Sequence, residues 1–83
     1  MTYLINYDLS TPGQNYAPLI CAIQSYGSWA KINRSCWIIK TEQNAVQIRD
    51  YLSPFIDKND LLFICQFSNW ASLNFRKEIT DWI

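Results

Sequence analysis

Apolar and polar positions change period several times along this chain, and each change marks an element. Over 3–7, Tyr3, Ile5 and Tyr7 alternate with Leu4 and Asn6, the two-residue period of a β-strand. Pro12-Gly13 is a strong turn signal after it. Over 16–26 the period lengthens. Tyr16, Leu19, Ile20, Ile23 and Tyr26 recur every three or four residues, which predicts a helix with one buried face. Asn15 suits its N-cap, Pro18 fits its first turn, and Gly27 stands just past its end. Segments 29–33 and 36–40 read as two strands joined by a tight bend over 33–35, with one long bent strand as the alternative.

Thr41 is expected to cap a second helix over 42–53, with Ala45, Ile48, Leu52 and Phe55 facing inward and Pro54 weakening its end. Residues 57–60 read as a turn. The stretch 61–67 is the most apolar of the chain and suits a strand buried on both faces. A last helix over 75–82 places Phe75, Ile79 and Trp82 on one side. The order is β-α-β-β-α-β-α. Its first six elements are the split βαβ pattern, so the expected fold is α+β: one ferredoxin-like domain over 1–83 with an added C-terminal helix. Two helices would cover one face of the antiparallel sheet and leave the other available.

Composition adds a partner to this picture. The 83 residues are 49% hydrophobic and include four Trp and five Tyr, more large aromatics than so small a core can hide. Aromatic residues gather where protein surfaces meet, so a homodimer is expected, with a further protein partner as an option. Seven basic and seven acidic residues cancel. Nucleic-acid binding would then need a local patch or a metal ion, because phosphate contacts dominate such affinity. Cys21, Cys36 and Cys65 are far apart with no CxxC pair, so they read as small buried hydrophobes of a reducing compartment rather than a disulfide framework or a zinc knuckle. The first residues lack the pattern of a signal peptide, and the longest apolar run, 61–65, is far too short for a membrane span. The expected location is the cytoplasm, with no membrane contact.

The chemistry is limited by what is missing. The chain has no histidine, which removes Ser-His and Cys-His catalysis, and its two glycines, Gly13 and Gly27, make no phosphate loop. Asp8 stands out, because it follows the first strand and opens a loop toward a helix. A carboxylate there suits Mg²⁺ or Mn²⁺, which take oxygen ligands, and such a metal could activate water. One Asp is a poor site alone. Two copies across a dimer axis, with Ser10 or Thr11 nearby, would make a better one. The plainer reading is that Asp8 ends the strand by accepting turn amides. Lys31, Arg34 and Lys40 lie around the bend and could face phosphate; the plainer reading is a solvated hairpin tip. Arg76 and Lys77 open the last helix, the wrong end for cations. Trp29, Trp37, Trp70 and Trp82 could stack on bases. They could equally be core or dimer contacts, with Trp29, Trp37 and Trp70 the candidates for a protein interface.

Several segments carry a resemblance. A first strand ending in Tyr7-Asp8-Leu9, a helix ending in Ser25-Tyr26-Gly27 and the segment Ser35-Cys36-Trp37-Ile38-Ile39 resemble the CRISPR-associated Cas-two family. Pro12-Gly13-Gln14-Asn15-Tyr16, Gly27-Ser28-Trp29 and Asn59-Asp60-Leu61-Leu62 bring the chain closer to the short Cas-two-like or SinR-like bacterial proteins. The virulence-associated protein D toxins share that fold. The resemblance covers residues 2–67. It implies a ferredoxin-like homodimer, with Asp8 as metal-binding and catalytic residue of a nuclease, or else a structural DNA-binding partner of an integrase. Two features depart from the family. The loop after Asp8 is Ser-Thr-Pro-Gly rather than basic, and the last element is a helix rather than an extra strand.

Three functions follow as expectations. The first is a homodimeric, non-catalytic interaction module in a defence or anti-defence setting. The second is a metal-dependent endonuclease or endoribonuclease centred on Asp8, possible as the toxin of a toxin–antitoxin pair. The third is a nucleic-acid binder that does not cleave.

Overall fold

A computed structural model of the protein describes residues 1–10 and 16–83. The expected Pro12-Gly13 turn, the Asn15 cap and the Thr11 hydroxyl lie outside the described residues. The elements are β1 (Thr2–Asp8), α1 (Ala17–Gln24), β2 (Trp29–Asn33), β3 (Cys36–Lys40), α2 (Ala45–Leu52), β4 (Leu61–Gln66) and α3 (Lys77–Trp82), with a single 3₁₀ turn, Ser53–Phe55, after α2. The sheet runs β2-β3-β1-β4, with every neighbouring pair antiparallel. Each crossover therefore leaves room for one strand. α1 joins β1 to β2 across β3, and α2 joins β3 to β4 across β1. This is the split βαβ order, and the fold is α+β with α3 added.

The two-residue alternation decides what each sheet face holds. Tyr3 lies opposite Ile39 and Ile5 opposite Trp37, and these pack with Tyr7 against Leu19 and Ile23 of α1 and Ile48 and Leu52 of α2. α1 and α2 have only eight residues each, too short to persist alone, so this packing is what holds them. Inside the core, Trp37 Nε1–H donates to the Tyr7 hydroxyl at 3.1 Å, and that hydroxyl donates to the Arg34 carbonyl at 3.2 Å. The bend between β2 and β3 is an Asx turn, in which Asn33 Oδ1 accepts from the Ser35 amide at 3.1 Å. Gly27 has φ +84°, a conformation that favours glycine, and its amide donates to the Gln24 carbonyl at the end of α1.

Four expectations need correction. The cap of α2 is Asn44, not Thr41. Asn44 Oδ1 accepts from the Gln47 amide and Gln47 Oε1 accepts from the Asn44 amide, both at 2.8 Å, a reciprocal capping box. Thr41 Oγ1 serves the preceding turn by accepting from the Gln43 amide. β4 is not buried on both faces, because α3 packs on β2 and β3 and leaves the Leu61 and Phe63 side of β4 uncovered. Leu61 is 65% exposed and Phe63 62%. The second sheet face is not left open along its whole length. α3 lies across it, and Ile79 packs with Ala30 and Ile38, joined by Leu4, Ile32, Phe67 and Trp82. The helix begins at Lys77, so Phe75 precedes it and stays exposed. Among the described residues no helix is long and apolar enough to cross a membrane.

Candidate functional site

Asp8 is the last residue of β1 and lies opposite Leu61 of β4. It is exposed and lines a shallow cleft of about 470 Å³ with Asn6, Leu61 and Phe63. No hydrogen bond from a described residue reaches its carboxylate. The turn role expected of Asp8 is filled by Asp60, which is buried at the start of β4. Asp60 Oδ1 accepts from the Ser10 amide at 2.8 Å, the Ser10 hydroxyl at 3.0 Å and the Tyr16 hydroxyl at 3.3 Å, while Oδ2 accepts from the Asp57 amide at 2.8 Å. The Ser10 amide, above all, holds this carboxyl below its ordinary range; burial opposes it, and the Asp57 amide and the Ser10 and Tyr16 hydroxyls reinforce it. Ser10 is thus committed to Asp60 and turned from Asp8. Among the described residues, no three Asp, Glu, Cys or His side chains gather as a metal cluster.

The basic residues do not share one face. Lys31 lies opposite Trp37 on the α1/α2 side of the sheet, its ammonium 5.5 Å from the Trp37 ring centre. Lys40 lies on the α3 side, donating to the Trp82 carbonyl at 3.0 Å and sitting 4.5 Å over the Trp82 ring. Arg34 is at the hairpin tip, exposed. Of the expected interface aromatics, Trp37 is core, at 2% exposed, because its position on a central strand turns it under the helices. Trp29 meets it edge to face at 5.4 Å and is itself partly exposed. Trp70 is exposed beside the apolar hollow between α3's approach segment and the sheet. Cys21 is exposed rather than buried. Burial pushes the Cys36 thiol up, with nearby Cys65 adding to the shift, which leaves it a poor nucleophile at neutral pH.

The two edges of the sheet are built differently, and this contrast was not legible from composition. β2 carries a bulge between Lys31 and Asn33, and the Arg76 guanidinium donates to the Lys31 carbonyl at 3.1 Å. This contact explains Arg76 at the unfavourable end of α3: its charge serves the β2 edge. β4 reads Leu-Leu-Phe-Ile-Cys-Gln, with no charge, proline or glycine. Beneath it, a groove of about 250 Å³ lies against α2, lined by Ala45, Val46, Arg49, Leu62, Phe63 and Ile64. Val46 is 53% exposed there. Long apolar edge strands without such blocking devices are templates for further pairing. The split βαβ order was the signal that would have found this edge, since it places the last strand outermost. The chain matches no family model and none of the curated proteins compared with it.

Proposed function

We propose that the chain works as a homodimeric interaction module, acting through the β4 side of its sheet rather than through a catalytic centre. The observation that carries this reading is the pair Leu61 and Phe63, each more than three-fifths exposed on an uncharged edge strand. Contiguous exposed apolar surface of that kind marks sites where a partner binds. The resemblance to Cas-two-like and SinR-like proteins supports a dimer and suggests a defence or anti-defence setting in the cytoplasm.

A metal-dependent nuclease is the second reading, and Asp8 is what favours it. The carboxylate is exposed in a cleft beside the same strand, so dimerisation could bring more ligands to it. A Mg²⁺ or Mn²⁺ ion there would polarise a phosphate or its attacking water. Binding of nucleic acid through Lys31, Arg34 and Lys40 has less behind it, since Lys31 and Lys40 lie on opposite sides of the sheet.

The test is a cleavage assay on labelled RNA and DNA with Mg²⁺ and Mn²⁺, run beside Asp8→Ala, with the mass of the native particle measured in the same buffer. The proposal expects a dimer and intact nucleic acid in every lane. Metal-dependent cleavage that disappears in Asp8→Ala would replace it with the nuclease reading.

A further inference from the structure

Resting on the homodimer reading, we infer that the partner on β4 is the β4 of a second copy, paired antiparallel about a two-fold axis at Phe63 to give one continuous eight-stranded sheet. The first support is the direction of the backbone. The Phe67 amide donates to the Thr2 carbonyl at 3.0 Å and so points toward β1. Backbone groups of successive residues alternate sides along a strand. Cys65, Phe63 and Leu61 therefore also face β1, while Leu62, Ile64 and Gln66 turn their amides and carbonyls outward.

The second support is the side-chain register. A two-fold axis normal to the sheet keeps each face continuous, so residues opposite one another must share a face. Centred on Phe63, the pairing sets Phe63 against Phe63, Leu61 against Cys65 and Leu62 against Ile64, each with its copy in the partner. Every pair within 61–65 is apolar, and Gln66 falls opposite Asp60 of the second copy, polar against polar. Leu62 and Ile64 exchange both backbone hydrogen bonds across the axis, twice by symmetry. Moving the centre to Ile64 sets Gln66 against Leu62, and moving it to Leu62 sets the already engaged Asp60 against Ile64. The third support is exclusivity. The opposite edge, β2, is closed to pairing by its bulge and by Arg76 on the Lys31 carbonyl, so assembly stops at two copies. Val46 closes the helix side of the seam and Leu61 and Phe63 the other side.

Phe63 and its copy form a non-hydrogen-bonded pair, whose Cα atoms approach to about 4.5 Å, within disulfide reach. The test is cysteine cross-linking in the full chain with Cys21→Ser, Cys36→Ala and Cys65→Ala, adding either Phe63→Cys or, as control on the other edge, Lys31→Cys. Mild oxidation should convert most Phe63→Cys protein to a disulfide-linked dimer on a non-reducing gel and leave Lys31→Cys as monomer. A second chain that keeps Cys65 and carries Leu61→Cys should also cross-link, which fixes the register. Sedimentation of the unmodified protein separates the two failures. A dimer that does not cross-link through Phe63 overturns the β4 pairing alone. A monomer at every concentration overturns the homodimer reading with it.

Discussion

Two polar side chains organise the interior, and each makes a separate prediction. Tyr7 links β1 to β3 in the core, accepting from the Trp37 indole N–H and donating its own hydroxyl to the Arg34 carbonyl. Tyr7→Phe leaves a buried indole donor unpaired, at a cost of about 1–3 kcal/mol measured by urea unfolding. Asp60 ties the loop after β1 to the start of β4. Its carboxyl is held below the ordinary value of 3.8, mainly by the Ser10 amide. A depressed carboxylate stabilises the fold fully above its unfolded value, and that contribution fades as pH falls through the folded value. The melting temperature should therefore drop on acidification below about pH 4, and Asp60→Asn should lower it at pH 7 while flattening that acid limb. Asp60 was hidden in the sequence because its partner Ser10 is fifty positions away, whereas Asp8 drew notice by local position alone.

Elements repeat the lesson in a different form. The boundaries of β2 and β3 were legible to the residue, since Asn33 supplies both a strand end and the Asx turn. The start of α2 was not, because Thr41 and Asn44 are both good caps and only the Gln47 side chain decides between them. Asn44→Ala should cost about 1 kcal/mol, checked by thermal melting, while Thr41→Ala should cost much less. The place of α3 was beyond sequence reasoning. Its apolar side fits any sheet, and only the contact of Ile79 with Ala30 and Ile38 fixes it on its own. Ile79→Ala should destabilise the fold by about 2 kcal/mol and loosen Trp82 from Lys40, visible as a red shift of tryptophan emission.

At the scale of the whole molecule, the fold leaves one side unfinished. The helices cover one sheet face, α3 covers part of the other, and β2 is blocked, so β4 is the sheet edge left open, with Leu61 and Phe63 exposed on it. A formal net charge of zero puts no long-range repulsion between copies. The aromatic richness that first suggested a dimer does not itself mark the proposed seam. Trp37 went to the core, and the residues left outside on the proposed seam are Leu61 and Phe63. Sedimentation velocity over a hundredfold concentration range, on the native chain and on Phe63→Lys, tests the central claim most directly. Phe63 supports nothing in the core, so the variant keeps its fold by circular dichroism. The account predicts a native dimer and a Phe63→Lys monomer; a native monomer, or a variant that still sediments as a dimer, would contradict it.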